Sequence, residues 1–378
     1  MTQKLKILRR FFTVFVFSLL LGLFIPQICS YGAEGETIEF VPSEDAAVNG
    51  RTLTALLKDD EKRTIVFPQS GEIRIDRVLW VGDNKTIIAN DCTIIQTKKT
   101  APLILHEIDQ TNFKSLRNVT VIGGTWKTVG NSANVGFRFA HASNITLDGC
   151  TVPVNYQAHG ISIIACKDVT VKNCTVLASG KATDTSLEEA IQIDVATAAT
   201  APVCAESGKQ FAKGQTCENI TIKNCTLRGS RGLCCNFTRT ENNKYVNKFH
   251  KNIKIIGNTI TGTSAQSLTL HNTVGFTVKG NTLITKNKRY DTTYSDGLNI
   301  TMLGTYASSA KYKNSIVNNT IKGGRFSLYI GSITDSRFGP TTIRSNKLYC
   351  RKGAANALKV GQCTKLIKSK NKTYTWKQ

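Results

Sequence analysis

Asn144-Ile-Thr-Leu-Asp-Gly-Cys150-Thr-Val recurs as Asp168-Val-Thr-Val-Lys-Asn-Cys174-Thr-Val and again as Asn219-Ile-Thr-Ile-Lys-Asn-Cys225-Thr-Leu. Further copies are Asn252-Ile-Lys-Ile-Ile-Gly-Asn258-Thr-Ile and Gly275-Phe-Thr-Val-Lys-Gly-Asn281-Thr-Leu, with weaker ones ending at Asn319-Thr-Ile and Asn346-Lys-Leu. Each copy reads as a short alternating strand, a tight turn and the start of a second strand. Between the copies lies another short strand, in the set Phe137-Arg-Phe, Ile161-Ser-Ile, Ile191-Gln-Ile, Leu268-Thr-Leu, Leu298-Asn-Ile, Leu328-Tyr-Ile and Leu358-Lys-Val. Apolar–polar–apolar alternation points two side chains inward and one outward. One such unit cannot bury its own apolar face, so the units must stack, with rungs ~4.8 Å apart.

The expected fold is therefore all-β: a right-handed, single-stranded parallel β-helix over residues 34–378. A short amphipathic helix around Leu53-Thr-Ala-Leu-Leu57 caps its N-terminal end. Cys150, Cys174, Cys225, Asn258, Asn281, Asn319 and Asn346 fall in one turn column. There an Asn amide can bond the rungs above and below, and a Cys serves as a small buried residue.

At its start the chain carries Lys4, Lys6, Arg9 and Arg10, then an apolar run over residues 11–25 and small residues at Ser30, Gly32 and Ala33. That order reads as a secretory signal peptide over residues 1–33, so the location expected is secreted or extracytoplasmic, with no stable membrane span after cleavage. The net charge is +23, of which the signal segment supplies only four charges. A chain so basic favours anionic partners. Outside the cell these are acidic polysaccharides rather than nucleic acid. There are 12 cysteines; with Cys29 lost in the signal, the odd remainder does not imply a full disulfide framework. Cys204 with Cys217, and Cys350 with Cys363, are the candidate pairs. No close Cys-x-x-Cys spacing marks a metal site, and neither metal nor cofactor is expected. A monomer is expected.

The stacked pattern resembles the pectin-lyase-like superfamily of right-handed parallel β-helices over about residues 37–378. That resemblance implies carbohydrate-active chemistry of several kinds, because the fold hosts lyases, hydrolases, epimerases and phage tailspikes alike. Ala158-His159-Gly160-Ile-Ser-Ile163 also resembles the His-Gly-Ile-Ser-Ile strand of polygalacturonases. In that family an Asp pair precedes the histidine by one rung. Here the preceding rung, Phe137-Arg-Phe-Ala, has no acid, and Glu188, Glu189 and Asp194 stand on the following one.

Aligning the second strands places Gln192 level with Arg138, Ser162, Thr269, Asn299, Tyr329 and Lys359. Asp194 falls level with Ala140, Ile164, Asn236, His271 and Thr301, and Glu189 with His159, Arg231, Gln266 and Asp296. Carboxylates, imidazoles and a guanidinium thus gather on three adjacent rungs, exposed to an extended polymer. His159, Glu189, Asp194, Arg231 and His271 are the candidate catalytic residues. Arg138, Glu188, Gln192, Asn236 and Tyr329 are the candidate substrate-binding residues. The insertion over residues 197–218 follows directly and is placed to wall a cleft.

Two chemistries fit. Hydrolysis needs two carboxyls across the bond, for which Glu189 and Asp194 stand ready. Elimination or epimerisation of a uronate needs its carboxylate neutralised, by Arg231 or a protonated Glu189, and a base such as His159, His271 or Tyr329. The dense Asp cluster of a calcium-dependent lyase is missing from the sequence. The expectation is an enzyme that cleaves or modifies an acidic polysaccharide. The alternative is a non-catalytic wall-binding or adhesive protein.

Overall fold

The first and sixth residues of each repeat bend the backbone into the left-handed region, and this dictates the sequence found there. Asn144, Asp168, Asn219 and Asn252 have φ of 54°, 54°, 56° and 57°, and Gly275 has 70°. Gly149, Asn173, Asn224, Gly257 and Gly280 follow with φ of 69°, 56°, 53°, 67° and 68°. Only Gly, Asn and Asp visit that region routinely. The computed structural model describes residues 35–99, 102–130, 135–155, 159–179, 188–239, 244, 246–306, 309–334 and 336–377. The expected signal peptide, residues 1–33, lies outside them. Residues 36–378 form one unit.

The chain is a right-handed parallel β-helix. Among the described residues, twenty-two strands form one continuous parallel sheet wrapping the coil, and ten form a second. Taken from the N-terminal end, the second sheet stacks Leu79–Trp80, Ile104–Leu105, Phe137–Ala140, Ile161–Ile164, Glu189–Asp194, Arg231–Cys235, Leu268–His271, Leu298–Met302, Leu328–Ser332 and Leu358–Val360. Its register is the one the alternation predicts: Ser162 pairs with Arg138 and Gln192, Thr269 with Asn299, and Asn299 with Tyr329. Cys234 fills the remaining place between Gln192 and Thr269. Inward residues such as Ile191, Ile193, Leu233, Leu268 and Leu270 join one core running along the coil, each buried side chain contributing about 1.5–3 kcal/mol.

Helix α1, Ala46–Leu57, closes the N-terminal end. The Asp45 carboxylate caps it by accepting from the Ala47 N–H at 2.7 Å. Leu53 and Leu57 plug the core completely. No described helix is long and apolar enough to cross a membrane.

The turn column is a ladder. Asn258 Nδ2 donates to Asn281 Oδ1 at 3.0 Å, Asn281 to Asn319 at 3.0 Å, and Asn319 to Asn346 at 2.9 Å. Asn371, which the repeat reading did not include, extends it at 2.9 Å. Each amide also donates to a backbone carbonyl of a neighbouring coil, Asn319 to Val278 O at 2.9 Å for example. Where the column holds Cys150, Cys174 and Cys225, the thiols are free and buried and point at backbone carbonyls. Asn319→Ala, which breaks the ladder in its middle, is expected to lower unfolding free energy by about 1–3 kcal/mol. The readout is a lower denaturant midpoint at constant slope.

Neither candidate disulfide forms: all four thiols are free. Cys204 packs with Ala140, Ile164, Ala165 and Phe211 in a second apolar cluster outside the coil. Cys217 belongs to the main core, its thiol 3.3 Å from the Cys166 N–H and 3.6 Å from Asp194 O. The sequence places the pair at the two ends of one insertion, but the sheet separates their side chains. Cys350 points at Gly324 O and Cys363 at Gly361 O.

Candidate functional site

The alternation carries Gln192 and Asp194 outward while Ile191 and Ile193 go in. The register then lines Glu189 up with Arg231 on the next strand. The outcome is one hydrogen-bonded relay across three strands. Arg231 Nη1 donates to Glu189 Oε1 at 3.2 Å and to Cys234 Sγ at 3.1 Å, and its Nε donates to Gln266 Oε1 at 3.2 Å. The Cys234 thiol donates to Asn236 Oδ1 at 3.0 Å, and Asn236 Nδ2 donates to Asp194 Oδ1 at 2.8 Å. On the other flank His159 Nδ1 lies 2.8 Å from Glu189 Oε2. Two carboxyl groups, Glu189 and Asp194, are thereby the two ends of one polar chain.

The face is the expected one, but its exposure is not. Glu188, Glu189, Asp194 and Arg231 are 3%, 2%, 1% and 6% exposed, which corrects the expectation of an open wall. The reason lies partly in the connections that rise beside the sheet. The insertion folds back through Pro202–Ser207 and Phe211 onto Ala140, Ile164 and Ala165, the outward positions level with and next to Asp194. Gln215 ties it down, its Nε2 donating to Ala165 O at 3.1 Å. His159, with 30% of its side chain exposed, is the more open member of the ion pair.

Burial sets the electrostatics. It pushes the Asp194 carboxyl up to about 7, against the Asn236 hydrogen bond and the His159 charge, which lower it. For His159 burial works downward, but the Glu189 carboxylate beside it, then Asp194 and Glu188, outweigh burial and hold the imidazole above its ordinary 6.5. The Cys234 thiol is pushed up to about 12 by burial and stays protonated. His271, pushed down to about 3 by burial and then by Arg231, is a neutral ring. It packs edge-on against Phe237, centroids 5.1 Å apart, and its Nδ1 finds no partner among the described residues. His271 therefore offers a hydrogen bond rather than a charge. The neighbouring Thr269 Oγ1 is also buried without a partner. Such orphans sit where a water or a ligand group completes the bonding.

The sign for His159 is definite. A folded-state pKa above the unfolded one gives stabilisation that is full below pH 6.5 and is lost as pH rises through the raised value. In a proton-NMR titration we expect the His159 ring to change charge above 6.5. His106 and His250 should do so near 4, and His271 near 3.

The remaining candidates lie apart. Tyr329 is three strands from Arg231, ~14 Å along the stack, and lies parallel to Phe326 at 5.6 Å with the Arg325 guanidinium 5.3 Å from its ring centre. Arg138 is two strands from Gln192 on the other side. Sequence reasoning missed three parts of this face: His250, the grip on Asp296, and Trp80 with Leu105. His250 holds the relay from beneath, with Nε2 donating to Asn236 O at 2.9 Å and Nδ1 accepting from the Cys217 N–H at 3.1 Å. Asp296, fully buried, is gripped by both Arg325 Nε at 3.0 Å and Asn299 Nδ2 at 2.7 Å. Trp80 and Leu105 extend the outward column at its N-terminal end.

No protein-family model matches the chain, and no curated protein matches it. Solved structures do. PfbA, a surface adhesin of Streptococcus pneumoniae, is similar over 91% of this chain and 91% of its own, with a TM-score of 0.50 and 15% identity. The A-module of the mannuronan C-5 epimerase AlgE6 of Azotobacter vinelandii is similar over 82% and 80%, with a TM-score of 0.48 and 12% identity. An alginate lyase from Paenibacillus sp. str. FPU-7 is similar over 88% and 95%, with a TM-score of 0.34 and 12% identity. At such identities the likeness is one of fold, and it does not establish membership of the pectin-lyase-like superfamily.

Proposed function

We propose that this is an extracytoplasmic enzyme that cleaves or modifies an acidic, uronate-containing polysaccharide by acid–base chemistry centred on Asp194. The observation that carries this reading is the relay itself: Glu189 and Asp194 joined through Arg231, Cys234 and Asn236 on one outward face, with His159 at the edge nearest solvent. A carboxyl that ionises near the working pH is suited to give or take a proton. In elimination the base removes the proton α to the uronate carboxylate while the glycosidic oxygen leaves and is protonated. In hydrolysis water attacks the anomeric carbon and the same carboxyl protonates the leaving oxygen. The net charge of +23 suits a polyanion in either case, and export follows from the basic and apolar segment at residues 1–33.

A second reading is binding without chemistry. It draws on the pairing of Glu189 from both sides, by His159 at 2.8 Å and Arg231 at 3.2 Å, an arrangement that also serves to hold strands together. Incubation with polyuronates, sulfated glycans and neutral glycans separates the readings. Elimination yields an unsaturated uronate absorbing in the ultraviolet, and hydrolysis yields reducing ends without that absorbance. Tight binding of a polyuronate with neither product, and no change at the sugar's carbon 5 by NMR, would leave only the binding reading standing.

A further inference from the structure

The outward column does not stop at the relay. From Gln192 it continues one residue per strand through Ser162, Arg138 and Leu105 to Trp80. Four rungs, ~19 Å, therefore join the acid–base cluster to an indole. At that end the face opens into a pocket of about 280 Å³, lined by Trp80, Leu105, His106, Glu107, Arg138 and Val203 among others. That volume is near the lower bound of small-ligand sites, ~300 Å³. It suits one or two sugar rings.

The guanidinium of Arg138 is what marks the pocket. Among the described residues it has no hydrogen bond and no ion pair, although it is half-buried. The acid in the lining, Glu107, is held by Lys58 at 2.8 Å instead, and Glu206 on the covering helix acts on Arg138 only through space. His106 is not a second cation. Its Nδ1 donates to Glu107 O at 2.7 Å and its Nε2 accepts from the Ala140 N–H at 2.9 Å, so both nitrogens are used in bracing the wall. A desolvated guanidinium with free donors beside an aromatic face lacks one thing, a planar anion with an apolar flank.

We propose that this pocket is a subsite for one uronate residue of the polymer, its carboxylate on the Arg138 guanidinium and a ring face on Trp80. The polymer then lies across the strands, with the bond or carbon that reacts at Asp194 and the anchored sugar nearer the N-terminal end. The proposal rests on the reading of the chain as acting on an acidic polysaccharide and gives that reading an anchor and a direction. Trp80 and Arg138 are positioning residues here, since neither touches the reacting atoms.

The test uses tetrasaccharides of galacturonate, glucuronate, mannuronate and guluronate, with neutral and sulfated counterparts. Binding is titrated calorimetrically in the full chain carrying Asp194→Asn, and initial rates are measured with Asp194 intact. Arg138→Gln is expected to weaken binding of one uronate series by about 10- to 100-fold, leaving neutral sugars and the thermal midpoint unchanged. Trp80→Ala is expected to weaken the same series by about 3- to 10-fold. Arg138→Lys should recover part of the loss. Uronate affinity unchanged by Arg138→Gln, equal losses for charged and neutral sugars, or a response confined to the sulfated sugars each overturns the subsite. These results stay distinct from the fate of the enzymatic reading: cleavage that persists with unaltered KM in Arg138→Gln sinks the subsite alone. Arg138-dependent binding without any product sinks the chemistry alone.

Discussion

Asp194→Asn is expected to lower turnover at pH 7 by ~100-fold or more and, in the same protein, to raise the thermal midpoint at pH 8. The two effects share one cause. In the folded chain burial lifts the Asp194 carboxyl to about 7 from an ordinary 3.8. The native state therefore holds the proton more tightly than the unfolded state does. Below 3.8 both states are protonated and the site is without penalty. As pH rises from there through 7 the native state loses ground, and above 7 the full cost of ionising a buried carboxyl is present, roughly 4 kcal/mol. Asparagine escapes that cost and can still accept the Asn236 hydrogen bond, but it can neither give nor take a proton. The variant should thus gain stability at pH 8, gain little at pH 4, and lose the bend near pH 7 in the rate profile. A residue kept for stability alone would show the reverse. Turnover equal to that of the parent, or a stability difference that does not change between pH 4 and pH 8, would sink the assignment.

The facing of this sheet was legible because a period of two fixes which residues of Ile161-Ser-Ile and Ile191-Gln-Ile point outward; a slip by one residue would turn Gln192 and Asp194 into the core. That suffices to bring His159, Glu189 and Arg231 level. What alternation does not encode is how far a connection folds back. The insertion's Cys204 and Phe211 pack outside the coil on Ala140 and Ile164, and no local pattern in residues 197–218 distinguishes that from a loop standing in solvent. The same insertion explains the failed pairing of Cys204 with Cys217, since its end re-enters the coil and carries Cys217 into the core. Trp80 escaped notice for a different reason: Leu79–Trp80 is two residues long, too short to show any period. Arg325 was hidden because it reaches Asp296 from the turn before the next strand, at 2.6 Å through Nη2, outside the strand positions that the alternation aligns.

Arg231→Met is expected to destabilise the chain by about 3–5 kcal/mol, because it removes one partner of a buried ion pair and leaves the other charged. Glu189, 2% exposed, would keep only His159. Gln266 Oε1 and Cys234 Sγ would lose the donor they share. Glu189→Met alone should cost a comparable amount, since Arg231 would be left buried against two neutral acceptors. Removing both charges should cost less than the sum, because the double variant leaves no uncompensated buried charge. The coupling, read from denaturant midpoints of the four proteins, is expected at about 0.5–3 kcal/mol. Additive losses would mean that the two residues do not act as a unit, and the relay from Glu189 to Asp194 would fall with that result. The double variant also separates structure from chemistry. A pair that only fastens neighbouring strands can be exchanged for methionines without touching turnover. A pair that holds Asn236 and Asp194 in place through Cys234 cannot, so the refolded and stable double variant should remain inactive on whichever polyuronate the parent converts.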